Sequence, residues 1–240
     1  MSGHSKWQGI KHRKGLADAK RATVFTKFAN AITLAAREGG GDPEFNFKLR
    51  LVVDKAKMSN MPKENIDRAI KKGTGELEGV QLAEIVYEGF GPHNVAVVVE
   101  VVTDNRNRIV SELKHAFSRH GGGLGVQNSV MWNFEHLGVV RFSQEKISPD
   151  QKEMLELDAI DVGANDVSEQ GEYIVVTTKI PDFQKVQEAL SKKGYEVADA
   201  GIEFVAKDTQ KLTEEQMESL ATLLDALDDL GDVTNIYTNV

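Results

Sequence analysis

The sequence predicts an α+β protein of three domains: an N-terminal three-helix domain with a basic arm, then two small helix-backed α+β sheet domains. Three observations predict it. Apolar residues recur at helical spacing from about Ala17 to Ile70. From Ile85 onward, short strand-length apolar runs alternate with helical ones. Charge changes sign near the same boundary: residues 1–75 hold 16 Lys+Arg and 7 Asp+Glu (+9), and the rest hold 13 and 30 (−17), which sum to the formal net charge of −8.

The elements follow in order. In residues 1–16, Gly3, Gly9 and Gly15 loosen the chain and there is little helical pattern. A helix begins near Ala17, places Phe25, Phe28, Ala29, Ile32 and Ala36 on one face, and stops at Gly39-Gly40-Gly41. Asp42-Pro43 reads as an N-cap followed by a proline at the first helical position. The second helix buries Leu49, Val52, Val53 and Ala56. Pro62 opens a third, with Ile66, Ala69 and Ile70 inside and Gly73 at its end. Thr74 to Val80 reads as a linker.

Ile85 to Tyr87 and Asn94 to Val102 read as strands around a turn at Gly89-Phe90-Gly91-Pro92. The next helix turns Ile109, Leu113, Ala116 and Phe117 inward and ends at Gly121-Gly122-Gly123. Val130 to Phe134 and Val139 to Phe142 read as two strands joined by a glycine turn at Gly138. A helix near 149–158, a strand at Tyr173 to Lys179, a helix from Asp182 to Lys193 and a strand at Ile202 to Ala206 follow. An acidic helix, Thr213 to Leu230, and a strand, Val233 to Tyr237, close the chain. The pattern alone does not settle which sheet this last pair joins. The expected domains are 1–78, 79–132 with 208–240, and 133–207.

Composition narrows the chemistry. Apolar content is 40% and charged content 28%, enough for a core, and there is no cysteine. Disulfides, thiolate catalysis and cysteine-bound zinc are excluded, and a reducing cytoplasm fits. The longest apolar run, Val95 to Val102, is interrupted by Glu100 and is only strand length, so no membrane partner is expected. The N-terminus has no apolar core of a secretory signal. The expected location is the cytoplasm.

The stretch from Gly3 to Arg21 is the first candidate site. Lys6, Lys11, Arg13, Lys14, Lys20 and Arg21 face a single acid, Asp18. Such cations contact phosphates and release counterions. Trp7 and the rings of His4 and His12 can stack on exposed bases, at roughly 1–3 kcal/mol per base on single strands. The bland alternative is a solvated tail, and Trp7 argues against it; a middle reading docks Trp7 on the helical unit and leaves only the charges functional. The second candidate is Thr103-Asp104-Asn105-Arg106-Asn107-Arg108. Asp104 or Asn105 can cap the following helix, which puts Arg106 and Arg108 where the macrodipole is positive. That placement suggests a phosphate or acidic partner; the structural alternative is an Arg108–Glu112 pair.

No catalytic constellation is present. Gly121 to Gly125 lacks the Lys-Ser/Thr of a P-loop and the spacing of a dinucleotide fingerprint. His115 and His120 are off a common helical face. Asp158, Asp161 and Asp166 lack calcium-loop spacing, and Asp225, Asp228 and Asp229 read as a solvated face. No metal or cofactor is expected, and a binding protein is favoured over an enzyme. The connection at Gly39 to Pro43 is too long and glycine-rich for a helix-turn-helix.

Gly3-His4-Ser5-Lys6-Trp7, Ile10-Lys11-His12-Arg13-Lys14 and Asp18-Ala19-Lys20-Arg21 resemble the N-terminal signature of the YebC/PmpR family. Tyr87-Glu88-Gly89-Phe90-Gly91-Pro92 and the Thr103–Arg108 segment resemble its central signature. Gly121-Gly122, Leu124-Gly125, Ser129-Val130 and the terminal Ile236-Tyr237-Thr238-Asn239 extend the match. The resemblance implies a helical domain and two α+β domains enclosing a cleft, with a nucleic-acid-linked role and no catalysis. Members are usually called probable transcriptional regulators that bind DNA. Similar proteins, among them the mitochondrial translational activator of cytochrome oxidase, act in translation at the ribosome. The expected partner is therefore DNA, or ribosomal RNA or tRNA with the ribosome. A small-molecule-sensing module is the alternative of another class. Two positions depart from the family pattern: Ile109, usually threonine, and Asn128, commonly glycine.

Overall fold

The computed structural model describes residues 18–240, with residues 18–20 described by backbone alone. Three helices come first: α1 (Asp18–Gly39), α2 (Phe47–Met58) and α3 (Lys63–Thr74). Their apolar faces meet in one core of Ile32, Ala35, Ala36, Leu49, Val53, Ala56, Met61, Ile66 and Ala69, with Phe25, Phe28, Val52 and Ile70 packed at its edge. Burial of that shared face, more than intrinsic propensity, stabilises helices this short.

Asp42-Pro43 does not start α2. Asp42 closes a turn of its own, accepting from the backbone N–H of Glu44 and Asn46 at 2.9 Å each. The cap is Asn46, which accepts from the N–H of Leu49 at 3.0 Å. Its buried amide also donates to the carbonyls of Ala35 and Gly40, at 2.8 Å each. One side chain thus satisfies the end of α1 and the start of α2. Gly73 does not end α3 either. It lies where α3 crosses α1, and a Cβ there would come 2.4 Å from the Thr33 carbonyl. The helix ends at Gly75, in the left-handed conformation that glycine adopts freely. The α1–α2 connection spans residues 40–46, whereas α2 and α3 are joined by only the four residues 59–62. The length argument against a helix-turn-helix applies to the first connection and not to the second.

The first sheet has four strands. β1 (Ala83–Phe90) pairs antiparallel with β2 (Ala96–Thr103), in register from Ala83↔Thr103 to Phe90↔Ala96. The strand runs through Gly89 and Phe90, which had read as a turn; the reversal occurs at Gly91 to Val95. α4 (Arg106–Arg119) buries Ile109, Leu113, Ala116 and Phe117, all four as its spacing predicts. β3 is the two-residue strand Gly123–Leu124, paired with Gly89 and Phe90.

β4 (Phe134–Ser143) opens the second sheet as one continuous strand. Gly138 is not a turn. It sits mid-strand because a Cβ there would lie 2.6 Å from Phe183. α5 (Pro149–Val162), β5 (Asp166–Gln170), β6 (Tyr173–Thr178), α6 (Ile180–Lys192) and β7 (Val197–Ala206) complete this sheet, whose order is β5-β6-β4-β7. The edge strand β5 has the sequence Asp-Val-Ser-Glu-Gln, too polar to be recognised by apolar content. Leu155 and Ala159 of α5 are buried, as are Phe183, Val186 and Leu190 of α6. Arg141, 4% exposed, lies inside β4 and holds Glu203 through two hydrogen bonds of 2.6 and 2.7 Å.

The last pair returns to the first sheet. α7 (Glu214–Asp228) starts from a capping box at Thr213 and Gln216. β8 (Val233–Thr238) then pairs with β2, from Val97↔Thr238 to Val101↔Val233, with a bulge after Glu100. Two compact units result. One runs through Met131 and takes back Lys211–Thr238; the other holds Trp132–Gln210 and Asn239–Val240. No helix among the described residues is long and apolar enough to cross a membrane.

Glu100 is the one acid in the valine run of β2. It accepts from Asn235 at 2.8 Å and from the Tyr237 hydroxyl at 2.9 Å. Burial pushes its carboxyl above the ordinary value of 4.5, and these two hydrogen bonds only partly oppose that. A raised folded-state pKa means the folded protein holds this proton more tightly than the unfolded chain. The resulting stability is fully present below pH 4.5 and is lost as pH climbs through the raised value. Glu100→Gln is therefore expected to raise the melting temperature at pH 7, with the gain shrinking to nothing in acid. Thermal melts across pH check this; a gain that is the same at every pH would refute it.

Candidate nucleic-acid interface

Of the predicted contact residues, His4, Lys6, Trp7, Lys11, His12, Arg13 and Lys14 lie outside the described residues. Lys20 and Arg21 fall in the first turn of α1, and the side chain of Arg21 is exposed. α1 is held along its length. Lys27 pairs with Asp228 at the end of α7 at 3.0 Å. Thr33 donates to the Ala69 carbonyl at 3.0 Å, and Arg37 donates to the Leu82 carbonyl. Asp228 is thus engaged with Lys27, while Asp225 and Asp229 are exposed. The helix that carries the last two cations of the basic stretch is a fixed platform.

The second candidate is built around the end of β2. The Thr103 hydroxyl donates to Asp232 at 2.7 Å and accepts from the Asn105 N–H at 3.0 Å. Asn105 caps α4 by accepting from the Arg108 N–H at 3.1 Å. Arg108 donates to Asp104 at 2.9 Å and to Asp232 at 2.6 Å. It does not pair with Glu112 in the expected way. Helical side chains lean toward the N-terminus, so Arg108 reaches back to Asp104 and to the carboxylate presented from the turn before β8. The two acids offset the unfavourable dipole placement of Arg108. Arg106 is exposed. It lies near Tyr87, whose phenol is pushed up by burial and drawn back by that cation. Sequence reading missed Asp232 altogether: nothing local links it to a residue more than a hundred positions away.

The other quoted segments turn inward. Glu88 is 7% exposed and accepts three backbone N–H groups, from Asn128 at 2.7 Å, Val130 at 2.9 Å and Met131 at 2.8 Å. It ties the loop after β3 to β1. A Cβ on Gly89 would come 2.8 Å from the Gly123 carbonyl, and one on Gly122 would come 2.4 Å from that of Phe90. These glycines let β1 and the glycine loop touch; they do not cradle a ligand. Asn128 has φ +64, a conformation that favours glycine and that asparagine tolerates. That explains its substitution for the glycine common in the resembling family. Ile109 is fully buried.

Two sets of variants separate these roles. Glu88→Ala leaves three N–H groups without their acceptor, that of Val130 buried and those of Asn128 and Met131 partly buried, at about 1–3 kcal/mol for a buried unsatisfied donor and less for the other two. A total loss of about 2 kcal/mol or more is expected in urea unfolding, and an unchanged midpoint would contradict the tether. For the arginines, Arg108→Ala is expected to lose up to about 1 kcal/mol, as exposed pairs do. Arg106→Ala should be neutral or slightly stabilising because it relieves the dipole. Equal losses from both would overturn the distinction.

Residues 5–76 match the TACO1/YebC protein N-terminal domain, and residues 82–240 match the TACO1/YebC second and third domain. A probable transcriptional regulatory protein of Thermoanaerobacter pseudethanolicus is 48% identical over 240 residues, covering 100% of this chain and 97% of that relative. One from Fusobacterium nucleatum is 49% identical, covering 100% and 95%. The crystal structure of a conserved hypothetical protein from Aquifex aeolicus superimposes with a TM-score of 0.84 at 43% identity, covering 96% of this chain and 94% of that one. Matched by these models over nearly its whole length, the chain belongs to the TACO1/YebC family.

Proposed function

We propose that this protein is a regulator of gene expression that binds nucleic acid without catalysing a reaction, and that it acts on DNA as a transcriptional regulator. The observation that carries the proposal is the segregation of charge, +9 over residues 1–75 against −17 over residues 76–240. A cationic end gains counterion-release energy on a polyanion, and an acidic remainder limits nonspecific adhesion. The names of the relatives, probable transcriptional regulatory proteins, support the transcriptional reading. In this reading His4, Lys6, Trp7, Lys11, His12, Arg13, Lys14, Lys20 and Arg21 form the main contact and Arg106 adds to it; Arg108, engaged by Asp104 and Asp232, would have to leave those carboxylates to reach a phosphate.

A second reading rests on the arm's aromatic content. Trp7, His4 and His12 interleaved with cations suit irregular or single-stranded RNA, and point to a translation factor on the ribosome. Replacing Lys11, Arg13 and Lys14 with alanine is expected to weaken binding and lower the salt slope by roughly 2–3, with little change in stability. Fluorescence anisotropy at several salt concentrations, on duplex DNA and on single-stranded RNA, measures this; an unchanged slope refutes the arm's role. Sedimentation of lysate on sucrose gradients divides the two readings. Ribosome co-migration that survives DNase and is lost on deleting residues 1–21 would overturn the DNA reading.

A further inference from the structure

A groove of about 340 Å³ opens on the helical region between α1, α3 and the segment before β1. That volume is within the range of small-molecule sites. Its floor is apolar, from Phe25, Met61 and Leu82. Its walls carry Asn30 from α1 and Asn65, Arg68 and Lys72 from α3. The three α3 residues are spaced i, i+3 and i+7, so they share one helical face. Among the described residues, no hydrogen bond or ion pair occupies the side chains of these four, although Asn30 and Asn65 are half-buried. The fold gives these donors and acceptors no internal use, and the carboxamides of Asn30 and Asn65 stay open to an incoming partner.

The chemistry of the walls selects a ligand class. Two carboxamides offer paired donors and acceptors, which match the edge of a nucleobase. Phe25 and Met61 offer an apolar surface to its face. Arg68 and Lys72 are exposed cations at the rim, suited to a phosphate. We propose that this groove binds one unpaired nucleotide, with its base among Asn30, Asn65 and the apolar floor and its phosphate on Arg68 and Lys72. The inference rests on the nucleic-acid-binding reading and deepens it: the arm supplies affinity for the backbone, and the groove inspects a single base.

The test uses the full chain with adenosine, cytidine, guanosine and uridine 5′-monophosphates, their deoxy counterparts, and inorganic phosphate as control. Amide chemical shifts by NMR should move for α1 and α3 residues around the groove. Replacing Arg68 and Lys72 together with alanine should weaken nucleotide binding about tenfold or more. Asn65→Ala should weaken discrimination among the bases. Both changes touch exposed or half-buried side chains, so unchanged thermal melts can certify folding. The ribose and deoxyribose series show whether RNA or DNA supplies the nucleotide. If inorganic phosphate reproduces the shifts in full, the groove is an anion site and the proposal falls. If polynucleotide binds through the arm while no mononucleotide perturbs the groove, the groove proposal falls and the regulatory reading stands. If neither binds, both fall.

Discussion

Within its unit, everything is arranged around the burial of β2 on both faces. Val97, Val98, Val99, Val101 and Val102 are each 2% exposed or less. A strand buried on one face needs one layer, whereas this run needs two. Leu220, Leu223, Leu224 and Leu227 of α7 and the core face of α4 are buried in the same unit. Leu34 of α1 meets Val102 and Leu82 on the even-numbered face of β2. The hairpin partner β1 pairs with one edge of β2 and β8 with the other, so this most apolar strand has no open edge. The helical platform is therefore fixed to the sheet by the same strand that organises the sheet.

Polar anchors then set the loops. Asn46 joins two helix ends, Glu88 gathers three N–H groups of one loop, and Asp232 serves Thr103 and Arg108 together. Each is a single side chain that satisfies several groups which would be costly to leave bare. This explains why so much of the distinctive sequence is not a binding surface. The Tyr87–Pro92 segment and the glycine loop are distinctive because two backbones touch there. The exposed cations of α3 that line the groove, Arg68 and Lys72, are by contrast not used in any such anchor.

The sequence by itself determined the α+β class, the three opening helices, the core face of α4 and the charge division. Each is local or periodic: an i, i+3, i+4 stripe, a valine run, a count of charges. It misplaced what depends on a distant neighbour. Gly73 and Gly138 resemble terminators, and they are interior because another chain segment passes too close for a side chain. The Asp42 cap gave way to Asn46, since only Asn46 also reaches the carbonyls at the end of α1. β5 was invisible because a polar edge strand is defined by its partner. The sequence nominated the arm and the two arginines as a site. Only the tertiary structure decided that Arg108 is held by Asp232, that β8 lies beside β2, and that Asn30 faces Asn65, Arg68 and Lys72 across a groove. The reason is physical: propensity and periodicity act over a few residues, whereas hydrogen-bond satisfaction and close packing are settled between segments that only the fold brings together.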